Sequence, residues 1–259
     1  MKAIRDIIKY KSYIIYSIKS SLKAEVAGSF LSFIWWVLEP LSFMVIYSIV
    51  FGYIFNNTEE YYSVFIFIGN AIWGFFSKSI SSSTTLIKQN EQIISKVYVP
   101  KHILLVIELG INAFKLLING ILVSIMMFIF GINITLSICL LPFIIFTLFV
   151  VTFGLCSIIM NIGVFIVDLS RLISIALNVL MYFSGIFYSV EDKIPKPYGL
   201  VLSTVNPIAF LLSSIRKVTI YGVYPNMILL FVWLLIGAIL SIIGVRVLYK
   251  NENMYVKIM

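Results

Sequence analysis

The sequence favours an all-α membrane protein with six transmembrane helices. Hydrophobic residues make up 61% of the 259 residues and charged residues only 12%, whereas soluble chains carry roughly 25% charged residues. The apolar residues are gathered in blocks of about 20 or more, the length that a helix needs to cross a hydrocarbon core roughly 30 Å thick. A soluble domain is therefore excluded, and residues 1–259 are interpreted as one transmembrane domain.

Residues 1–27 are predicted to form an amphipathic helix that lies in the plane of the cytoplasmic leaflet. At helical spacing, one face is apolar and the opposite face is basic. The two sets are Ile4, Ile7, Ile8, Ile14, Ile15, Ile18 and Leu22, and Lys2, Arg5, Lys9, Lys19 and Lys23. Such a helix combines apolar burial with attraction to anionic lipid. Because the basic residues are spread along the whole segment, it does not have the pattern of a cleavable signal peptide.

Six apolar blocks follow and are predicted to span the membrane. They are residues 31–55, 62–84, 103–130, 136–160, 172–190 and 227–248. Orientation follows from the positive charges, because cytoplasmic loops carry an excess of Lys and Arg. With the amino terminus inside, the cytoplasmic segments hold 13 of the 19 basic residues. Both termini are therefore expected in the cytoplasm.

The connection between the second and third predicted spans, residues 86–101, is charged and amphipathic and reads LIKQNEQIISKVYVPK. With the amino terminus inside, this segment faces the cytoplasm. It is interpreted as a cytoplasmic helix through which motion can be transmitted to the membrane domain.

Residues 191–224 are predicted to hold a re-entrant helical hairpin on the outer face. The apolar stretch 199–215 is interrupted by Asn206 and Pro207, which leaves two halves of about eight residues, or roughly 12 Å each, too short to cross. A full crossing would also place Arg246, Lys250 and Lys257 outside, against the distribution of positive charge.

Catalysis by this chain is not expected. The sequence has no Gly-x-x-x-x-Gly-Lys-Ser/Thr phosphate loop, no Cys-x-x-Cys and no His-Glu-x-x-His motif. His102 is expected to pack at the membrane edge, and Cys139 and Cys156 are expected to be packing residues rather than a disulfide. No metal and no cofactor are predicted in the chain itself.

Ion-coupled transport would need ionisable side chains in the membrane interior. The candidates are Glu39 in the first predicted span, Lys78 in the second, and Glu108 and Lys115 in the third. Glu108 and Lys115 share a helix face, so mutual neutralisation or a helix contact explains them as well as a proton path does.

Aromatic and hydroxylated residues are concentrated in the first two predicted spans. Trp35 and Trp36 fit an aromatic belt at the membrane interface. Ser77, Ser81 and Thr84 recur at helical spacing, which favours close helix packing in lipid. A polar strip along a conduit is the functional alternative, and aromatic rings beside hydroxyls would suit sugars.

Four ordered motifs resemble the permease subunits of ABC exporters for O-antigen, capsular polysaccharide and teichoic acid. From Leu22, LKAEVAGSFLSFIWWVLEPLSFMVIYSIVFGYIF is similar to the family's opening. GNAIWGFFSKSISSSTTLI resembles its Gly-x-x-x-Trp-x-Phe-Phe-Ser span, and NEQIISKVYVPKHILLV resembles its cytoplasmic connection. Asn206 and Pro207, followed by Arg216 and then Gly222, resemble its later landmarks. Departures are local: Val167 stands where many members have Arg, and Val99 where many have Phe.

The resemblance implies a six-span permease that pairs with a second copy of itself and binds two copies of a separate ATPase, which would hold Mg-ATP. Residues 86–101 would be the coupling helix, the segment through which the permease contacts the ATPase. It would offer the residues Gln89, Asn90, Glu91, Gln92, Lys96 and Tyr98. The substrate would be a glycan or polyol-phosphate chain on undecaprenyl diphosphate, moved outward across a bacterial inner membrane. No nucleic-acid partner is expected.

The resemblance also implies two groups of substrate contacts. The glycan path is expected to include Trp35, Trp36, Trp73, Phe75 and Phe76, and then Tyr182, Phe183, Phe187 and Tyr188. The amphipathic helix of residues 1–27, here called the leader, could line a lateral opening where Lys19 and Lys23 meet the lipid diphosphate. Arg216 and Lys217 could receive headgroups outside.

Two other functions stay open. A related ABC exporter permease for a drug or another lipid would share the six-span plan. A membrane glycosyltransferase is disfavoured, because no acidic metal or sugar-nucleotide motif is found in any loop.

Overall fold

The computed structural model describes residues 2–27, 32–54, 59–252 and 254–255, and every regular element in these ranges is helical. The prediction of an all-α chain is confirmed there. The ends of the first predicted span at residues 31 and 55, and Lys257, lie outside the described residues.

Five helices in the described ranges are long and apolar enough to cross a membrane. Helices α1 (Lys2–Lys9) and α2 (Lys11–Ala27) precede them. The first is Phe33–Ile54, in which α3 (Ser32–Tyr47) continues as the π-helix Ser48–Ile54. The fourth is Leu136–Phe165, in which a 3₁₀ turn leads into α8 (Leu141–Phe165). The second, third and fifth are single helices: α4 (Tyr62–Ser83), α7 (Lys101–Ile129) and α13 (Met227–Lys250).

The fifth predicted span is shorter than expected. Helix α9 (Leu169–Phe183) has 15 residues, or about 22 Å at 1.5 Å per residue. It ends two residues before Gly185, which adopts a left-handed φ of 69°, a conformation typical of the residue after a helix. The predicted bounds of 172–190 are therefore wrong for this helix.

The coupling segment, residues 86–101, is not one continuous helix. It contains two helical turns, α5 (Leu86–Gln89) and α6 (Glu91–Ile94), which meet at Asn90. An irregular stretch then leads to Pro100, and α7 begins at Lys101. The segment is nevertheless anchored, since Ile94 and Val99 are buried.

A sharp bend occurs where the sequence predicts one. Short helix α10 (Val190–Lys193) precedes α11 (Tyr198–Val205) and α12 (Pro207–Thr219), and the last two are bent by 96°. The Asn206 side chain accepts hydrogen bonds from the backbone N–H groups of Ile208 and Ala209 and so caps α12. Helix α12 is longer than the eight residues expected for that half.

Helix α4 is the centre of the fold. Fourteen of its 22 residues are buried, and it packs against α3, α7, α8, α9 and α12. Helices α8 and α13 approach closely through small residues: a Cβ on Gly237 would lie 2.9 Å from the backbone nitrogen of Val151. In lipid there is no hydrophobic driving force between helices, so the van der Waals packing that small residues allow stabilises this helix pair.

The leader packs on the protein through part of its apolar face. Ile14 is buried, and Ile18 lies over Gly110 of α7, where a Cβ would overlap its side chain. Ile4 and Ile8 are 65% and 69% exposed, so the first turns keep an apolar surface that suits the membrane interface.

Candidate functional site

A polar cavity of about 390 Å³ lies between α2, α3, α4 and α7. Its lining combines aromatic rings with amide and charged side chains. These include Trp36, Phe43, Trp73 and Phe75, the amides Asn70, Asn112 and Asn119, and the charged Glu25, Glu39, Lys78 and Lys115. Three of the four helices belong to segments that are long and apolar enough to span a membrane. Polar and charged residues between such helices commonly mark functional sites in membrane proteins.

Two ion pairs balance the charge of the polar cavity. Lys115 Nζ lies 2.8 Å from Glu25 Oε2, and Lys78 Nζ lies 3.8 Å from Glu39 Oε1. The sequence suggested neutralisation of Lys115 by Glu108, but the partner is Glu25 at the end of the leader. The lining therefore holds two carboxylates and two ammonium groups in pairs.

The amides supply hydrogen-bonding groups that sequence reasoning missed. Asn112 Nδ2 donates to Ser79 Oγ at 3.1 Å, and Ser79 Oγ in turn donates to the Phe75 carbonyl. Among the described residues, the buried Asn119 Oδ1 has no hydrogen-bond partner. An unsatisfied buried acceptor costs roughly 1–3 kcal/mol, so a bound donor would stabilise it. These asparagines could have been found from the sequence, because they are polar residues inside predicted apolar spans.

The first set of predicted glycan-path residues is divided. Trp36, Trp73 and Phe75 line the polar cavity together. Trp35 points elsewhere and is 56% exposed, while Phe76 is buried with its ring 5.8 Å from that of Trp73. The structure thus joins three of the five aromatic side chains at one site.

The second set lies away from the polar cavity. Phe187 is buried and stacks on Phe51 with ring centroids 4.6 Å apart. Tyr188 donates to the backbone carbonyl of Tyr182 at 2.7 Å. Tyr182 and Phe183 are more than half exposed on α9. These residues form an aromatic cluster around the end of α9 and are not part of the polar cavity.

The predicted coupling residues face two directions. Glu91, Gln92 and Lys96 are exposed, and their side chains make no hydrogen bond or ion pair with the described part of the chain. Gln89 and Asn90 instead line a second cavity on the side of α2.

Tyr98 ties the end of the coupling segment to the end of the chain. Its hydroxyl donates to Glu252 Oε2 at 3.1 Å, and its carbonyl accepts from Tyr10 at 3.4 Å. Burial, and then the Glu252 carboxylate, raise the pKa of Tyr98 above its ordinary value. Tyr249 also donates to Asp6. Sequence reasoning missed this junction between the leader, the coupling segment and the end of α13.

Arg216 has a structural role in place of the expected headgroup contact. Its guanidinium is buried and donates to the backbone carbonyls of Phe65, Gly185 and Ile186 at 2.6–3.2 Å. It also lies 3.3 Å from the centroid of the Phe65 ring. These bonds hold α12 against α4 and the end of α9, so the expectation of an open cation at this position is corrected.

The other predicted cations differ in their accessibility. Lys217 is half-buried and donates to both carboxylate oxygens of Glu191, at 3.0 and 2.8 Å. Lys19 and Lys23 are exposed on the leader.

Comparison with known proteins places this geometry in a family context. A model of the family described as ABC-2 type transporter matches residues 14–221, which include the coupling segment and every lining residue of the polar cavity. Two proteins of Klebsiella pneumoniae called O-antigen export system permease protein RfbA are each 26% identical over 241 residues, 92% of this chain and 91% of theirs. A protein of the same name from Myxococcus xanthus is 22% identical over 218 residues, 84% of each chain.

Proposed function

This chain belongs to the ABC-2 type transporter family, and from that premise we propose that it is the permease subunit of an ATP-driven polysaccharide exporter of the O-antigen, capsule or teichoic acid type. Family membership makes it a membrane transport subunit that works with an ATPase, and not an enzyme. The relatives named for O-antigen export match nearly its whole length. The observation that carries the proposal is the polar cavity.

The lining of the polar cavity suits a sugar. Sugar rings present apolar C–H faces, which pack on indole rings such as those of Trp36 and Trp73, and hydroxyl edges, which bond amides such as Asn119. Its volume of about 390 Å³ falls in the range of small-ligand sites, roughly 300–1,000 Å³. We infer that successive sugar units pass this site during export.

ATP supplies the energy through the partner. The chain has no phosphate loop, so Mg-ATP would be held by a separate nucleotide-binding subunit, present in two copies beside two copies of this permease. Glu91, Gln92 and Lys96 are exposed on the coupling segment and would contact that subunit. Tyr98 would set the position of the segment rather than meet the ATPase.

The connections of the coupling segment support a mechanical link to the glycan. Only Thr84 and Thr85 separate α4 from α5, and Pro100 leads directly into α7. Helices α4 and α7 both line the polar cavity. ATP-driven closure of the ATPase subunits would displace the coupling segment and so move two walls of the cavity. The buried Ile94 and Val99 anchor the segment to the membrane domain, so the displacement would be transmitted to α4 and α7.

The proposed orientation follows the positive charges, with both termini in the cytoplasm and α11 and α12 forming a re-entrant hairpin on the outer side of a bacterial inner membrane. The substrate would be linked to undecaprenyl diphosphate and move outward. Exposed Lys19 and Lys23 would attract the diphosphate, and Lys217 could receive a headgroup outside by exchanging Glu191 for it.

ATP hydrolysis tests the proposal directly. The chain is purified in lipid nanodiscs alone and with its partner ATPase, with and without extracted lipid-linked glycan. We expect hydrolysis that needs the partner and rises with the glycan. Failure of the partner ATPase to bind the purified chain would overturn the proposal. An exporter for a drug or another lipid would be indicated if cells that lose the gene do not accumulate lipid-linked glycan inside.

A further inference from the structure

A second cavity, here called the leader cavity, lies between α2, the coupling segment and the first turns of α7, and measures about 390 Å³. Helix α2 contributes two tyrosines and three serines, α7 contributes Glu108, and the coupling segment contributes two amides. The polar lining residues are Tyr13, Tyr16, Ser17, Ser20, Ser21, Gln89, Asn90 and Glu108. None of them lines the polar cavity.

The serine hydroxyls of the leader cavity are available to a ligand. Several helical serines elsewhere in the protein donate to a carbonyl of the preceding turn, as Ser79 does to Phe75 and Ser124 does to Gly120. No hydrogen bond of the Ser17, Ser20 or Ser21 side chain is found within the described ranges. Three hydroxyls on one stretch of helix therefore keep both their donors and their acceptors.

Glu108 adds an acceptor for hydroxyl groups. Its carboxylate is half-buried and makes no ion pair or hydrogen bond with the part of the chain that the structure describes. Two lysines lie seven residues away on the same helix, and each has another partner: Lys101 pairs with Glu252 and Lys115 with Glu25. A carboxylate has two oxygens and can accept from two neighbouring hydroxyls, and such charge-assisted bonds are stronger than neutral ones.

The remaining walls are apolar or aromatic. Leu104 and Ile107 of α7 form one side, and the rings of Tyr13 and Tyr16 lie on the other. No lysine or arginine is among the described residues that line the cavity. A phosphate or another anion would thus meet a carboxylate without a compensating cation, whereas an uncharged polyhydroxyl ring would meet hydroxyls, a carboxylate and aromatic faces.

We propose that the leader cavity binds one uncharged sugar unit of the glycan on the cytoplasmic side, with Glu108 accepting from two of its hydroxyls and Ser17, Ser20 and Ser21 bonding the others. This inference rests on the proposed function. Because Gln89 and Asn90 of the coupling segment line the same cavity, a bound sugar contacts the segment that meets the ATPase, and glycan occupancy is communicated to ATP hydrolysis there.

Cysteine protection tests the sugar site in the assembled permease–ATPase complex. In a Cys139→Ser background, where the native Cys156 is buried, Ser20→Cys reports on the leader cavity and Ser12→Cys, exposed on the same helix and outside the lining, serves as its control. Maleimide labelling is followed with lipid-linked glycan, with the free glycan released from it, and with undecaprenyl diphosphate that carries no sugar.

We expect both glycan samples to slow labelling of Ser20→Cys, about tenfold at ten times the half-protecting concentration, and to leave Ser12→Cys unchanged. Glu108→Gln should raise the half-protecting concentration about tenfold and Ser21→Ala about fivefold. Glu60→Gln, an exposed carboxylate elsewhere, should have no effect. The Ser21→Ala arm keeps the test open if Glu108→Gln does not fold.

Two results would overturn the sugar site. One is equal protection by the sugar-free carrier, or protection that follows the phosphatidylglycerol content of nanodiscs made otherwise of phosphatidylethanolamine, since the cavity would then hold lipid. The other is an absence of protection in a sample whose ATP hydrolysis the glycan stimulates. Absence of both protection and stimulation would overturn the proposed function as well, so the two failures are distinguishable.

Discussion

The Arg216 guanidinium occupies the space that a side chain at position 69 would fill. A Cβ on Gly69 would lie 2.6 Å from Nη2 of Arg216 and 3.0 Å from the Ile186 carbonyl oxygen. Gly69 therefore lets a charged group from α12 reach the backbone carbonyls at the start of α4 and after α9. The glycine that opens the Gly-x-x-x-Trp motif has a packing role at this point.

Gly69→Ala is expected to destabilise the protein, because neither the guanidinium nor the Ile186 backbone can retreat without losing hydrogen bonds. Overpacking of this kind costs typically about 1–3 kcal/mol. The measurement is thermal unfolding in detergent. Gly74→Ala on the same helix is the control, since a Cβ there would meet nothing within 4 Å. Equal melting temperatures for the two variants would contradict this account of Gly69.

Arg216→Lys is expected to destabilise the protein although it keeps the positive charge. A lysine cannot reproduce bonds to three separate carbonyls, and each buried carbonyl left without a donor costs roughly 1–3 kcal/mol. Folded yield and thermal unfolding measure the effect. Arg171→Lys, at an exposed ion pair, is the control. A fully stable Arg216→Lys permease with normal export would instead support a simple cation at this position.

Asn119→Leu is expected to separate stability from transport. Removing an acceptor that has no partner within the described chain should leave stability unchanged or raise it by about 1 kcal/mol, yet lower glycan-stimulated ATP hydrolysis and export. Asn112→Leu is the matched comparison: it breaks the bond to Ser79 and should lower stability. Normal export by Asn119→Leu would show that the amide does not contact the glycan.

Charge reversal of the coupling segment, Glu91→Lys with Lys96→Glu, is expected to weaken ATPase binding and lower partner-dependent ATP hydrolysis about tenfold, equivalent to about 1.4 kcal/mol. Folding should be unaffected, because both side chains are exposed. The control reverses another exposed pair, Asp168→Lys with Arg171→Glu. Unchanged hydrolysis with the first double variant would move the ATPase contact away from these two residues.

The pKa of Tyr98 gives a pH dependence with a defined sign. Its folded pKa is raised above the ordinary value by burial and by Glu252, so the junction is stable below that value and loses stability as pH rises through the window above it. Tyr98→Phe removes this ionisation and should flatten the alkaline part of the unfolding profile. The same alkaline loss in the variant would assign it to another group.

Local patterns in the chain were sufficient for much of the architecture. Apolar blocks of spanning length identified the helical membrane domain, and a proline after Asn206 located the bend between α11 and α12. Both are properties of neighbouring residues, because helix length and proline geometry act over a few positions. The motif order likewise pointed to the permease family before any contact was known.

Contacts between distant residues were decided only by the tertiary structure. The sequence grouped Arg216 with Lys217 as outer cations, but folding brings three carbonyls from α4 and the end of α9 around the guanidinium and buries it. It offered Glu108 as one possible partner of Lys115, whereas packing of the leader on α7 brings Glu25 to Lys115 and leaves Glu108 in the leader cavity. A charged side chain takes whichever partner the packed helices present, and that choice depends on residues far apart in the chain.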